Sequence, residues 1–183
     1  MRWMLLTAFF VCSIFAVNAQ NFRGLDKSPL DVAYFPDNFP HDRKEGQKAL
    51  VKVVYSRPAK NNRELFGKLE PYGKVWRTGA NENSEITFYQ DATVAGKKIR
   101  KGTYSLFTIP EKDTWTIIFN SDVDHWGAYT YNEKNDVLRV KADAGNIDDT
   151  VENFTIQFSG KDPNSTEMML AWGNTIVKVP LTF

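Results

Sequence analysis

The sequence predicts an all-β domain, either an antiparallel β-sandwich of the jelly-roll kind or a partly closed barrel, preceded by a long irregular N-terminal arm. Apolar and polar residues alternate in several short segments, most strictly at Phe154, Ile156 and Phe158. Residues that favour turns separate these segments about every ten residues, a spacing typical of sandwiches and barrels. Segments with a strand pattern outnumber those with a helical pattern along the whole chain.

Residues 1–19 predict a cleavable secretory signal. A basic start is followed by an apolar run over residues 5–17, and small residues end at Ala19. An uncleaved membrane anchor is the alternative, but the run is too short to span a bilayer. Cys12 lies inside the run, away from the cleavage point, so the pattern is not that of a lipoprotein. We expect cleavage after Ala19, a periplasmic or secreted protein, and no membrane span after cleavage.

The rest of the chain is electrically balanced and contains no cysteine. The signal carries a single basic residue, Arg2, so 22 basic residues remain against 22 acidic ones. A balanced chain is a poor partner for nucleic acid, and an exported chain without disulfides depends on an ordinary core. His41 and His125 are the only histidines. Because zinc and copper sites need three or four such ligands, we expect neither a metal site nor a cofactor.

Residues 20–46 form the predicted arm, and residues 47–183 form a single predicted β-sandwich domain. The arm is rich in proline, aspartate and aromatic residues, and contains at most one short strand, at residues 31–34. In the domain, β-branched or alternating segments bounded by glycine, proline or asparagine predict the strands. They lie at residues 50–55, 85–89, 103–109, 115–119 and 136–141.

The C-terminal third predicts an antiparallel meander of three strands. Alternation places these strands at about residues 152–159, 166–172 and 175–182. Turn residues lie between them, at Gly160–Asn164 and at Gly173-Asn174. We therefore expect the chain to reverse at both places.

The candidate functional site is the stretch Phe66–Glu82. It is too rich in turn residues for a helix and too aromatic for a solvated linker. Arginine and amide groups bind hydroxyl or carboxylate groups, and aromatic faces cover apolar ligand surfaces. We expect this stretch to form a binding site together with the end of an earlier strand and a later loop. The candidate residues are Arg57, Tyr72, Trp76, Arg77, Asn81, Glu82, Trp126 and Tyr129, with Tyr131 close by.

The same residues also fit a purely structural role, in which Arg77 and Glu82 pair inside a tight loop and Trp76 belongs to the core. In either case we expect Arg77 and Glu82 each to have a partner, because an unpaired charge under an aromatic cover is costly. A binding site further requires one of the two to point into a concavity. Tyr72, Trp76 or the loop 126–131 would line it.

Motifs for catalysis are weak. The sequence has no Gly-x-Ser-x-Gly elbow, and no thiol remains after signal cleavage. Paired carboxylates could support hydrolysis of a glycoside, but only their separation in space decides this. The enzyme alternative is therefore a hydrolase that uses Glu82 with His125 or Asp124 as acid and base.

Several motifs resemble the family known as domain of unknown function 2911. The resemblance covers about residues 28–139 and extends to the end of the chain. It implies an exported or periplasmic protein of Gram-negative bacteria with a β-rich domain, and it brings no assigned activity, substrate or catalytic residue. The motifs are Tyr55–Pro58, Phe66-Gly67, Pro71–Glu82, Gly102–Pro110 and Trp126–Tyr129.

We therefore expect a non-catalytic module that binds a small polar or sugar-like ligand, or an envelope protein, through the Trp76–Glu82 loop. The alternatives are the hydrolase and a purely structural envelope domain. A pocket beside Arg77 and Glu82 would favour a site over a structural role. Two carboxyl groups facing each other across that pocket would favour the enzyme.

Overall fold

The computed structural model describes residues 21–36, 41, 43–160 and 162–183. The predicted signal peptide lies outside the described residues. A 3-10 turn at Glu133–Asn135 precedes the eighth strand. Within the described part of the chain, no helix has the length and hydrophobicity needed to cross a bilayer. The strands are β1 (Leu30–Phe35), β2 (Val51–Ser56), β3 (Ser84–Phe88), β4 (Ala92–Val94), β5 (Lys97–Ile99), β6 (Gly102–Ile109), β7 (Thr114–Asn120), β8 (Asp136–Ser159) and β9 (Ser165–Thr182).

These strands form one antiparallel sheet in the order β1-β2-β3-β6-β7-β8-β9-β4-β5. The sheet does not close into a barrel, and β1 and β5 remain its two edges. The predicted all-β antiparallel fold is confirmed. The strand predicted at residues 31–34 is also confirmed, because β1 pairs with β2 along its whole length. The division of the chain at residue 46 stays a prediction.

The long strand β8 carries the chain from one half of the sheet to the other. Its first part pairs with β7 up to Asp143, and from Ala144 onward it pairs with β9. The two halves then pack against each other in the manner of a sandwich. Tyr55 of β2 donates its hydroxyl to the Ile156 carbonyl of β8 at 3.0 Å, and its ring meets that of Phe154 edge-on.

Alternation along the strands supplies the core between the two halves. On β2, Val51, Val53 and Tyr55 are all buried, as expected for a strand with one face toward the core. Each such side chain stabilises the fold by roughly 1.5–3 kcal/mol through removal of its apolar surface from water. The core continues into a cluster of large aromatic rings from the strands and from the loop before β3.

The predicted turn at Gly173-Asn174 and the predicted meander of three strands are wrong, because β9 runs unbroken through both residues and both of its parts pair with β8. Gly173 has φ +60°, and a Cβ atom at this position would lie 2.9 Å from Leu65 Cδ1. A glycine is therefore needed for the left-handed backbone and for the close approach of Leu65. The partner strand shifts register between Asn146 and Val151, so the irregularity is a bulge in a two-stranded ribbon. The chain does reverse after Ser159, where β8 ends and β9 follows.

Candidate functional site

Trp76 lies in the aromatic part of the core. Only 3% of it is exposed, and its ring stacks on Trp172 with a centroid distance of 5.8 Å and an interplanar angle of 13°. The indole Nε1 donates to the Gly79 carbonyl at 3.0 Å. The backbone N–H and carbonyl of Trp76 both pair with Thr108 of β6. Trp76 thus fixes the stretch to the sheet and leaves no exposed ring face for a ligand.

Beyond Trp76 the chain turns outward. Thr78 is buried with φ +57°, and its hydroxyl donates to Thr108 Oγ1 at 3.1 Å. Ser84 Oγ in turn donates to the Thr78 carbonyl at 2.7 Å. Asn81 has φ +59°, in the left-handed region that asparagine tolerates better than most residues. These contacts bring Glu82 to the surface.

Arg77 is half-buried, and its Nε is buried without a hydrogen-bond partner among the described residues. The expectation that Arg77 is paired is therefore wrong for this atom. Its charge acts instead on Glu70: burial raises the pKa of that carboxyl to about 7, while Arg77 and then Arg63 oppose the rise. Glu82 is exposed. Water solvates its charge, so it does not need the partner that we expected.

The stretch and the later loop meet through their backbones. Asn83 N–H donates to the His125 carbonyl at 3.0 Å, and Gly127 N–H donates to the Asn81 carbonyl at 3.0 Å. Glu82 and Trp126 therefore lie opposite each other in a short antiparallel bridge. Two segments that are distant in sequence thus form one surface.

Asn81, Glu82 and Trp126 line one side of a groove of about 940 Å³. The other side is the arm, residues 23–30, together with Ser56. Asn81 Nδ2 donates to Asp26 Oδ1 at 2.9 Å and so attaches the arm to the loop. A backbone hydrogen bond from Ser28, followed by that of Asn81, lowers the pKa of Asp26. Trp126 is 63% exposed in this setting.

A smaller cavity of about 190 Å³ adjoins this surface and contains Glu82, Asp124 and His125 in its lining. Glu85 also lines it and accepts a hydrogen bond from the Asp124 N–H at 2.8 Å. Both ring nitrogens of His125 are in use. Nδ1 lies 2.9 Å from Thr130 Oγ1, and Nε2 lies 3.1 Å from Asp122 Oδ2.

A family model described as protein of unknown function (DUF2911) matches residues 40–181. The chain belongs to this family. The resemblance drawn from its motifs is confirmed, and the match adds no activity or ligand. Searches of curated proteins and of solved structures found no match. No group of three or more potential metal-ligating side chains occurs in the part of the chain that the structure describes.

The side chain of Arg57, although part of a family motif, contacts β1 and β8. Its Nη1 forms an ion pair with Asp31 at 2.9 Å, and its Nη2 donates to Thr155 Oγ1 at 2.8 Å. Its Nε donates to the Phe154 carbonyl. Arg57 thereby ties β2 to β1 and β8, and it does not line the groove.

The three candidate tyrosines lie at three different places and do not form one site. Tyr72 is half-exposed and lines a different cavity, beside Trp172. Tyr129 is 82% exposed on the same loop as Trp126 and does not line the groove. Tyr131 donates to Asp136 Oδ2 at 2.7 Å and accepts from Arg139 Nη2 at 2.6 Å. Burial, and next the bond to Asp136, raise the pKa of Tyr131 to about 12.

Buried polar residues that no sequence motif singled out hold the later loop in place. Asn83 Oδ1 accepts from the His125 N–H at 2.8 Å, and Asn83 Nδ2 donates to Ser105 Oγ at 2.7 Å. The Ser105 hydroxyl donates onward to the Asp122 carbonyl. Asn120 Oδ1 accepts from the Asp122 N–H at 2.9 Å. Each is a common polar residue on or beside a strand, and only its burial identifies its role.

Proposed function

We propose that this domain is a non-catalytic module that binds a sugar-like ligand in the groove of Asn81, Glu82, Trp126 and the arm. The observation that carries the proposal is the indole of Trp126, 63% exposed beside an amide and a carboxylate in one concavity. A sugar ring presents C–H groups on its face and hydroxyls at its edge. An aromatic platform flanked by a few polar groups complements both.

The loop that carries Trp126 is preorganised by hydrogen bonds within the protein. Its backbone is paired on both sides of Trp126, through His125 and Gly127. The buried side chain of Asn83 accepts a hydrogen bond from the His125 N–H and so holds the loop in place. A site held by its supporting contacts loses little conformational freedom on binding, which favours affinity.

Calorimetric titration with neutral trisaccharides of glucose and of N-acetylglucosamine tests the proposal. We expect at least one to bind, and Trp126→Ala to weaken it at least about tenfold, because the aromatic platform is lost. Tyr129→Ala is the matched control, since it removes an exposed ring from the same loop outside the groove. Absence of binding to every saccharide, or an equal loss in both variants, would overturn the proposal.

A second candidate is the hydrolase, supported by one observation: Glu82, Asp124 and His125 line the same small cavity. Glu82 and Asp124 would then serve as acid and base on either side of a bound glycoside. The test is release of nitrophenol from nitrophenyl glycosides. Turnover that Glu82→Gln abolishes would support the hydrolase, whereas no turnover by the wild type would reject it.

We also propose that the protein is exported and cleaved after Ala19. The support is the apolar run over residues 5–17, which is followed by small residues. Intact-mass measurement of the protein recovered outside the cytoplasm should give a chain that begins at Gln20. Retention of Met1, or an acylated Cys12, would contradict this.

A further inference from the structure

A second surface of the domain carries concentrated positive charge. The segment Lys97–Lys101 contains four cations in five residues, although the chain as a whole has 23 basic and 22 acidic residues. All four side chains are exposed, whereas Ile99 between them is buried. The first part of the segment is β5, an edge of the sheet. We call Lys97–Lys101 the basic strip.

These charges are not neutralised by neighbouring carboxylates. Among the described residues, none of the four cations forms an ion pair, whereas Arg57 pairs with Asp31 and Arg139 pairs with Asp136. Lys97 Nζ donates to a backbone carbonyl, that of Arg139, at 3.0 Å. Asp91 is the acidic side chain beside the strip, and its Oδ1 accepts from the Lys101 N–H at 2.8 Å. The strip therefore keeps an excess of positive charge.

The strip borders a cavity of about 560 Å³. In the sheet register Lys98 lies opposite Thr93, and Thr93 lies opposite Thr182. These three residues form a row across β5, β4 and β9, and all three line the cavity. Arg100 lies two residues beyond Lys98 and lines it as well. Two cations and two hydroxyl groups thus share one concave surface, with Asp91 as the acidic side chain and with Phe183, the last residue of the sequence, also in the lining.

Protection of a sheet edge also explains lysines on an edge strand, because charge prevents pairing with another chain. Here β5 has only three residues, which by itself makes it a poor template. The charge also continues past the end of the strand to Arg100 and Lys101. Edge protection does not account for Arg100, which lies beyond the strand and lines the cavity.

We propose that this cavity and the basic strip bind phosphate groups. An arginine fork, a lysine point charge and hydroxyl donors on one surface match a tetrahedral oxyanion with several acceptor oxygens. A neutral sugar would leave the cations without partners, so this site is distinct from the groove at Trp126. The phosphate comes either from a soluble polyphosphate or from a lipid headgroup, since both present the same group.

Titration of the full protein with sodium tripolyphosphate tests the site. We expect binding that weakens about tenfold between about 50 mM and about 300 mM NaCl, because salt screens exposed charges. Lys98→Glu with Arg100→Glu should abolish it. The matched control is Lys112→Glu with Lys134→Glu, which changes the net charge equally at exposed residues outside this cavity. Thr93→Val, which changes no charge, should weaken binding by a smaller factor.

Sedimentation with vesicles distinguishes the two sources. Binding to tripolyphosphate alone supports a soluble phosphate as the source. Binding to vesicles of phosphatidylglycerol with phosphatidylcholine, with or without tripolyphosphate binding, supports a lipid headgroup if the variant Lys98→Glu with Arg100→Glu loses it, and overturns the proposal if that variant keeps it. Binding to neither overturns the proposal. An equal loss in the control variant, or equally strong binding of polyglutamate, also overturns it, because either result would show attraction to charge alone.

Discussion

The two halves of the Trp76–Glu82 loop have different roles, although they are adjacent in sequence. Trp76 to Gly79 is a core segment, with Trp76 stacked on Trp172 and Thr78 fully buried. Asn81 and Glu82, together with Trp126, form an accessible surface. The same residue type, tryptophan, packs at 3% exposure in the first half and stands 63% exposed beside the second. Residue chemistry alone therefore does not distinguish a site from a core.

Trp76→Ala should break the first half and have the largest effect. It removes a buried ring from the aromatic cluster, and we expect the free energy of unfolding to fall by about 3–5 kcal/mol. Urea unfolding followed by circular dichroism measures this. Trp76→Phe keeps an aromatic ring and should lose less. A loss below about 1 kcal/mol in the alanine variant would show that Trp76 does not carry the core.

Glu70→Gln should show a pH-dependent effect. Burial raises the pKa of this carboxyl from 4.5 to about 7, so the folded state holds the proton more tightly than the unfolded state. The stability this gives is complete below pH 4.5 and is lost as the pH rises to about 7. We expect Glu70→Gln to stabilise the protein by about 1 kcal/mol at alkaline pH, a value reduced for solvent screening, and to change little in acid.

Urea unfolding in acid and in alkaline buffer measures this difference. Glu64→Gln is the matched control, because it removes the same charge from an exposed residue of the same segment. An equal stabilisation by both variants would refute the role given to burial of Glu70.

Arg77→Met tests whether Arg77 belongs to the core half of the loop or to its binding surface. The change removes a guanidinium whose Nε has no partner, so in acid we expect stability within about 0.5 kcal/mol of the wild type. At alkaline pH the variant should be less stable, since Arg77 lowers the pKa of Glu70. This difference should disappear in the double variant with Glu70→Gln. Saccharide binding should persist, and its loss would place Arg77 in the site.

Trp126→Ala should have the smallest effect on stability. The ring is mostly solvated, so we expect the free energy of unfolding to change by less than about 0.5 kcal/mol, while saccharide binding weakens at least about tenfold. The same urea titration gives this value. A destabilisation comparable to that of Trp76→Ala would mean that Trp126 is a packing residue, and the contrast between the halves would not hold.

Much of the fold could be predicted from the sequence, because alternation and turn residues act locally. The β-branched run over residues 50–55 predicts a strand, and β2 lies there with Val51, Val53 and Tyr55 buried. Gly173-Asn174 shows the limit of such reasoning. A glycine with positive φ serves a turn or a bulge equally well, and only the partner strand and Leu65 decide between them.

The sequence by itself determined the all-β class, the family and the segments that form the candidate site. The tertiary structure decided which side chains reach solvent. Burial depends on contacts between distant segments, such as Trp76 with Trp172 and Asn81 with Gly127. Residue types and their spacing do not contain those distances. The groove between the arm and Trp126 therefore forms only when the arm and the two loops come together in the folded chain.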